Sequence, residues 1–559
     1  MLEGKPWLGH YDKGVPPTLH PYPIRTLIDV VGKAAHLRSD HQALLFQGAH
    51  LSYSELDRLS DAFAAALVDL GTQKGDRVAL LLPNCPQFII AELGVWKAGA
   101  IAALINPLYT ENELKHMLEE CGAKTAVVLS RFYQKIQPLC QSTELSCIIT
   151  ANIKTYLPPF LRFLFTLFRE KKDGHRTILR EDDLWMGDLL RKFTDAPQPN
   201  VMVGPDDPAL LLFTGGTTGT PKAALGTHGG LMAAGMQLNA WFGVELIDWD
   251  DVILLCMPLF HVYGVGILST ALIGHNPVAL VPNPRDLKDL IATIRRTRPA
   301  FVPGVPTLFD ALLNHTDIQT GKVDFKSIKL CISGASPLLL ETKRRFETIT
   351  GGRMVEVYAL TESMGAAVIS PVHGEYRSGA VGLPVPDVDI RIVDAHTGQG
   401  ELTSGEVGEV LIRAPQVMQS YWRRPDETKA ILRDGWLHTG DLGYLDKDGY
   451  LFIVDRMKDL IKPSGFQVWP REVEEVIASH PAVYQVGVAG VPDPYQGEAV
   501  KAWIVLHRGH QITIEEIRTY CRKELVAYKV PKHVEFRNTL PMSHYGKVLR
   551  RELAAEEKR

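Results

Sequence analysis

The chain has no closely spaced cysteine pair. Cys85, Cys121, Cys140, Cys147, Cys256, Cys331 and Cys521 are scattered, odd in number and never in CxxC spacing. That excludes a zinc ribbon or a thiol-redox motif and points to reduced thiols in a cytoplasm rather than a disulfide framework. Charge of one sign is not in excess either. Lys+Arg number 60 against 64 Asp+Glu, a formal net charge of −4, which leaves no electrostatic footprint for nucleic acid. An uninterrupted membrane span of about 20 apolar residues is also missing. The longest apolar tract, Val252 to Pro282, is broken by His261, Tyr263, His275 and Asn276 and carries Pro258 and Pro277. It is expected to form buried strands of an α/β core. The first 23 residues, MLEGKPWLGHYDKGVPPTLHPYP, lack the apolar centre of a secretory signal, so no export is expected. There is no internal repeat and no low-complexity segment.

What is present suits a globular protein of more than one domain. The 559 residues are too many for one hydrophobic core, and 45% hydrophobic against 22% charged is ordinary. In the first half helical and strand patterns alternate. Helical spacing at Tyr53–Leu70, Gln87–Ala98 and Glu111–Glu120 interleaves with short apolar runs at Arg77–Leu82, Ala100–Ile105 and Thr125–Leu129. Short β runs separated by helices predict a parallel sheet covered on both faces. The rhythm returns from Ala209 to about Val357. From Val381 it gives way to alternating runs at Asp389–Val393 and Glu409–Arg413, then to a hairpin turning at Asp448-Gly449, which predicts a small antiparallel β subdomain. After Asp455-Arg456 a further unit has its own helices (Glu472–Ser479, Ile514–Leu525) and strands (Val486–Gly490, Val500–Leu506). The expected division is residues 1–455, a hinge at 456–458, and a C-terminal α+β domain at 459–559.

One segment stands apart. Tyr156-Leu-Pro-Pro-Phe-Leu-Arg-Phe-Leu-Phe-Thr-Leu-Phe, followed by Arg169-Glu-Lys-Lys172, is aromatic, apolar and flanked by bases. It is too short to cross a bilayer, and reads either as a surface helix packed on its own domain or as an interfacial helix contacting a membrane through 156–172.

The densest chemical signal is Leu210-Leu-Leu-Phe-Thr214-Gly215-Gly216-Thr217-Thr218-Gly219-Thr220-Pro221-Lys222. An apolar strand enters a loop whose glycines bring backbone N–H groups close to a polyphosphate; hydroxyls add donors and the lysine adds charge. A P-loop kinase needs Gly-Lys-[Ser/Thr], but Pro221 stands between the last glycine and Lys222, and Ala223 follows. That reading fails.

The Thr214–Lys222 loop resembles the nucleotide loop of the adenylate-forming superfamily, which includes acyl-CoA synthetases, the adenylation domains of peptide synthetases and beetle luciferase. Further motifs follow in order: Pro258-Leu-Phe-His261-Val-Tyr263-Gly264, Ser333-Gly334-Ala335-Ser336-Pro337-Leu338, Glu356-Val-Tyr358-Ala359-Leu360-Thr361-Glu362, Trp436-Leu-His-Thr439-Gly440-Asp441, Asp455-Arg456-Met-Lys458-Asp459, Ile461-Lys462-Pro-Ser-Gly465-Phe466-Gln467, and Leu540 to Leu553 around Gly546-Lys547.

The resemblance implies a role for each. His261 and Tyr263 would lie beside the acyl pocket, and Gly334, Ala335 and Ser336 beside adenine together with Glu356 and Tyr358. Thr361 would hydrogen-bond the α-phosphate. Glu362, with Thr218, would hold Mg²⁺, a hard cation suited to carboxylate and phosphate oxygens. Asp441 and Arg456 would bind the ribose. Lys458 would be the hinge, and Lys462, Gly465 and Gln467 would line the CoA side. Lys547 and Lys222 would act on the reacting phosphates. Ala359 departs from the family pattern, where glycine is usual, and its methyl narrows the mouth of an acyl tunnel.

The resemblance thus implies a large α/β N-terminal domain and a small mobile α+β domain. It also implies ATP with Mg²⁺, CoA as co-substrate and a fatty acid of medium or long chain as the acyl donor. A coumarate-type aryl ligase, an adenylate-former loading a carrier protein in trans and a silent nucleotide-binding scaffold stay open at this level.

Overall fold

The computed structural model describes residues 5–214, 221–336, 338–395, 397–466, 468–542 and 548–557. Two large sheets dominate it. One has eight strands in the order Ser420–Tyr421, Ala223–Thr227, Pro208–Phe213, Ile101–Leu104, Arg77–Leu81, Thr125–Leu129, Cys147–Ala151 and Leu184–Trp185. From Pro208–Phe213 onward its strands run parallel, while Ala223–Thr227 and Ser420–Tyr421 close one edge in antiparallel fashion. The second sheet has nine strands. Its parallel centre is Val278–Leu280, Ile253–Leu255, Phe301–Gly304, Leu330–Ser333 and Arg353–Leu360. Carboxyl ends of parallel strands are where open α/β sheets bind ligands. Thr214, Gly334 and Thr361 each follow directly on such an end.

Helices fill the space around these sheets. Tyr53–Asp69 starts on a capping box, with Ser52 Oγ accepting from Glu55 N–H and the Glu55 carboxylate accepting from Ser52 N–H. Pro86–Lys97 is buried on all sides, so Phe88, Ile90 and Trp96 join the core between the sheets. The tract 252–282 departs from its expected all-strand form: two short strands, Ile253–Leu255 and Val278–Leu280, flank the buried helix Val262–Ile273. A helix apolar all round carries no amphipathic period to distinguish it from strand.

The antiparallel part forms a five-stranded sheet in which Asp389–Val393, Gly408–Arg413 and Trp436–Leu445 are successive neighbours; Leu451–Arg456 pairs with Trp436–Leu445. Its hairpin turns through Gly449 at φ +86°, a left-handed conformation that glycine adopts without strain. A three-stranded sheet of Val483–Asp493, Gly497–Leu506 and His533–Phe536 ends the chain, flanked by helices Pro470–Ala478, Ile514–Glu524 and Arg550–Glu556. Among the described residues, its two apolar clusters draw only on positions 461–554. The fold is mixed α/β, with a large N-terminal part and a small C-terminal one.

Residues 159–169 are helical, as Pro159–Leu164 and a continuing wider turn Phe165–Arg169. The packed-helix reading does not hold for its outer face: Phe160 is 70% exposed, Phe163 60%, Leu167 59% and Phe168 68%. Among the described residues no helix is long and apolar enough to cross a membrane.

Candidate functional site

Strand Pro208–Phe213 delivers Thr214, and strand Ala223–Thr227 receives the chain again after Lys222. Thr214 N–H donates to Lys222 O at 2.8 Å, and Lys222 N–H to Thr214 Oγ1 at 3.3 Å. The base of the glycine loop is therefore pinned shut. Gly215, Gly216, Thr217, Thr218 and Gly219 lie outside the described residues, as do Gln467 and Lys547.

Lys222 Nζ sits 4.8 Å from the centre of the Tyr421 ring, a cation–π contact. Tyr421 is held there by the edge strand Ser420–Tyr421, paired against Leu225 and Ala224. Its hydroxyl donates to Glu362 Oε1 at 2.6 Å. Burial and then the neighbouring Glu362 charge push the phenol up in pKa, so it stays protonated and keeps donating. Met418 N–H donates to the Glu362 carbonyl at 2.9 Å, which ties the same segment to the Thr361-Glu362 turn.

A second carboxylate lies deeper. Asp441 is 3% exposed and faces Arg456 across the hairpin register. Arg456 Nε donates to Asp441 Oδ1 at 2.8 Å, and Tyr358 Oη donates to Asp441 Oδ2 at 2.7 Å. The Asp441 charge raises the Arg456 pKa, with smaller contributions from Tyr358 and Glu362. Burial and then Asp441 push the Tyr358 hydroxyl well up. Lys222, Glu362, Arg456 and Asp441 thus alternate in sign along one wall, with the Tyr421 hydroxyl donating to Glu362 and the Tyr358 hydroxyl to Asp441. Charges fixed in this order make a preorganised polar surface.

The remaining positions border that wall. Gly334 N–H donates to Gly304 O at 3.2 Å. A Cβ at Gly334 would fall 2.7 Å from Val357 Cγ1, so only glycine fits. Ala335 adopts φ +68°, and Ser336 is half-buried beside it. Glu356 accepts from Tyr376 Oη at 3.2 Å, and burial raises its pKa. His261 caps the helix Val262–Ile273 through Nδ1, which accepts Tyr263 N–H at 3.2 Å. Burial pushes its pKa down to about 4, so the ring is neutral near pH 7. Tyr263 Oη lies 3.0 Å from both Gly304 O and Ile332 O. Its ring is also 3.5 Å from where a Gly334 Cβ would sit. The Pro258–Gly264 and Ser333–Ser336 segments therefore touch. Ala359 is exposed at an irregularity in its strand pairing.

The hinge and CoA-side candidates lie further along. Lys458 occupies the short turn Met457–Asp459, and Gly465 ends the turn Pro463–Gly465. Lys462 is exposed, with its N–H donating to Glu498 at 2.8 Å. A wide dish of about 760 Å³, walled by Tyr484, His507 and Arg537, belongs to the C-terminal sheet and contains none of the motif residues.

Sequence reasoning missed two contributors. Tyr421 follows no motif; its only signal is spatial, a strand pairing with residues 224–225. Arg550, three residues past Lys547, bonds Asp455 at 2.8 Å, Asp459 at 3.3 Å and Glu474 at 2.5 Å. It gathers the carboxylates on either side of the Met457–Asp459 turn.

Residues 31–422 match the family model described as AMP-binding enzyme, and residues 472–547 match the AMP-binding enzyme C-terminal domain. The chain is similar to a long-chain-fatty-acid–CoA ligase of Bacillus subtilis (strain 168): 38% identical over 570 residues, covering 100% of this chain and 99% of that protein. Among solved structures it resembles the anthranilate CoA ligase AuaEII in complex with anthranoyl-AMP. The TM-score is 0.84 at 25% identity, over 96% of this chain and 98% of that one. ATP-bound MatB from Rhodopseudomonas palustris aligns with a TM-score of 0.81 at 29% identity, over 95% and 99% of the two chains.

Proposed function

The chain belongs to the AMP-binding enzyme family, and from that premise we propose that it activates a medium- or long-chain fatty acid with ATP and passes the acyl group to CoA. It is an AMP-forming acyl-CoA synthetase. The observation that carries the reading is the charged wall of Lys222, Glu362, Arg456 and Asp441, together with a neutral, half-buried His261. In this reading the wall takes the nucleotide and His261 borders the acid, the two neighbours that acyl-adenylate formation requires.

A free carboxylate acylates poorly because its leaving group would be an oxide. Attack of the substrate carboxylate on the ATP α-phosphorus forms a mixed anhydride and expels pyrophosphate. Negative charge is then distributed over phosphate oxygens, so catalysis rests on positioning and electrostatics. In this reading Lys222 and the Thr214 loop receive the departing phosphates and Thr361 holds the α-phosphate. Asp441 and Arg456 hold the ribose, and Gly334, Ala335, Ser336, Glu356 and Tyr358 receive the base. His261 and Tyr263 border the acid. A lone carboxylate such as Glu362, oriented by Tyr421, suits an ion that arrives with ATP and keeps phosphate ligands. Magnesium bound there would neutralise phosphate charge.

For the second half-reaction, residues 459–559 are proposed to rotate about Lys458, bringing Lys462, Gly465 and Gln467 toward the CoA thiol and withdrawing Lys547. The thiolate attacks the acyl carbon and AMP leaves. The exposed face of 159–169, with Arg169, Lys171 and Lys172 beside it, is proposed to rest on a membrane surface.

The test is a panel of acids from acetate through palmitate and oleate to coumarate with ATP, Mg²⁺ and CoA, quantifying AMP and thioester. Thioester formation peaking at long chains is expected. AMP without thioester would move the acceptor to a carrier protein, and a peak at coumarate would move the substrate class. Lys547→Ala is expected to lose adenylation while still converting supplied acyl-adenylate to acyl-CoA; equal loss of both steps would remove its assigned role.

A further inference from the structure

The strand Trp436–Leu445 does not run evenly along its neighbour Gly408–Arg413. Glu409 stands opposite Leu442 and Leu411 opposite His438, so the single residue Val410 faces three, Thr439, Gly440 and Asp441. Bulges of this kind interrupt the ladder and re-aim a side chain beside a functional site. The side chain carried here is Asp441, which on its other side pairs in register with Arg456. Gly440 takes a left-handed conformation, φ +67°, and a Cβ there would meet nothing within 4 Å. Glycine is therefore required by the backbone conformation and not by lack of room.

A bulge takes backbone groups out of the ladder, and side chains meet them. Thr439 Oγ1 donates to Val410 O at 2.7 Å and accepts Asp441 N–H at 3.0 Å. Glu409 does more. Its Oε1 accepts Gly440 N–H at 3.2 Å and its Oε2 accepts from His438 Nδ1 at 2.9 Å. The two donors thus come from the residues on either side of Thr439. Glu409 is 6% exposed and His438 8%. A charge withdrawn from water is costly unless it is paired and hydrogen-bonded, and an apolar pair of similar volume would often hold a sheet as well. The polar pair therefore calls for a reason other than stability.

We infer that Glu409 and His438 are a positioning pair for the nucleotide's ribose, clamping the Thr439–Asp441 bulge so that Asp441 meets the sugar hydroxyls already oriented. The proposal rests on the adenylate reading above, with Asp441 as the ribose ligand. Neither Glu409 nor His438 touches the sugar; both act through the backbone of Gly440, one residue before Asp441. At the other end of Asp441, Arg456 and Tyr358 donate to one oxygen apiece. A carboxylate has about four lone-pair sites, so each oxygen keeps one for a sugar hydroxyl. Those two bonds fix the end of the side chain, and the Glu409 clamp fixes the backbone from which it starts.

The test measures ATP–pyrophosphate exchange with ATP and with 2′,3′-dideoxy-ATP, which lacks both sugar hydroxyls, in the full chain and three variants. Glu409→Gln keeps the shape but offers one acceptor oxygen to two donors. His438→Leu removes one of those donors, and His438→Asn returns an N–H in its place. In the unaltered chain KM should be lower for ATP than for the dideoxy nucleotide. In Glu409→Gln and His438→Leu the KM for ATP is expected to rise about tenfold, the weight of one hydrogen bond to a charged group. Loss of uniform binding leaves kcat little changed, and the KM for dideoxy-ATP should move less than about twofold. His438→Asn should restore the preference for ATP. Equal rises in KM for both nucleotides, or a preference for ATP that Glu409→Gln and His438→Leu both keep, overturns the positioning role. No preference in the unaltered chain strikes the ribose assignment itself, and this pair with it.

Discussion

Tyr421 is the residue whose removal separates geometry from charge. Its hydroxyl holds one Glu362 oxygen at 2.6 Å and its ring receives Lys222. Tyr421→Phe keeps the ring, and with it the lysine contact, but frees the carboxylate. A hydrogen bond to a charged group contributes about 1.5–3 kcal/mol, so ATP–pyrophosphate exchange is expected to fall between about ten- and a hundredfold. Thioester formation from supplied acyl-adenylate, which does not need the pyrophosphate side, should change little. Equal losses in both half-reactions would show that Tyr421 only supports the fold. Ala359 is tested at the same scale: exposed beside Tyr358, its methyl is proposed to narrow the mouth of the acyl site. Ala359→Gly is expected to flatten the chain-length profile, read as kcat/KM across C8 to C18 acids; an unchanged profile would place the opening elsewhere.

At the scale of elements, the helix 159–169 is attached at its base and bare on its outer side. Glu170 takes Lys154 at 2.5 Å and Asn152 at 3.0 Å, and Phe165 packs edge-on to His175. Phe160, Phe163 and Phe168 are the outward rings, whereas Phe165 is inward. A Phe160/Phe163/Phe168→Ser variant is expected to lose sedimentation with anionic liposomes and keep its turnover of detergent-dispersed octanoate. Unchanged pelleting would remove the membrane proposal. Elements with a local signature were legible from the amino-acid order. The strand into Thr214, the helix that begins at Tyr53 and the Asp448-Gly449 hairpin each depend on neighbours a few residues away. The helix Val262–Ile273 was not legible, because burial on every side erases the polar stripe that reveals periodicity. Tyr421 and Arg550 escaped for another reason: their partners are distant in sequence, and no spacing encodes them.

For the molecule as a whole, three histidines, two buried and one half-buried, couple folding to acidity. His175, His228 and His261 are each pushed down to about 4 by burial, against about 6.5 in an unfolded chain. Between those values the unfolded state binds more protons. Their stabilising contribution is therefore complete above about pH 6.5 and is lost as pH falls toward 4. Glu92 runs the other way. Burial raises it to about 8, so its burden on the fold grows as pH rises from about 4.5. The urea midpoint is expected to drop from pH 7 to pH 5, and Glu92→Met to raise it at pH 8 but not at pH 4.5. A midpoint flat from pH 7 to pH 5 in the Glu92→Met chain would contradict the histidine assignment, and an unchanged midpoint for that variant at pH 8 the Glu92 assignment.

The edge strand Ser420–Tyr421 also has a consequence for synthesis. Strand Ala223–Thr227 emerges from the ribosome long before the segment that covers its open side. Roughly 200 residues separate the two, which at about 5–20 residues per second means roughly 10–40 s. Through that interval a nascent sheet exposes unpaired backbone groups to any passing strand. Lys222 gains its Tyr421 contact only when this edge closes, so a ribosome pausing between residues 230 and 420 would prolong the vulnerable state while leaving every finished molecule unaltered.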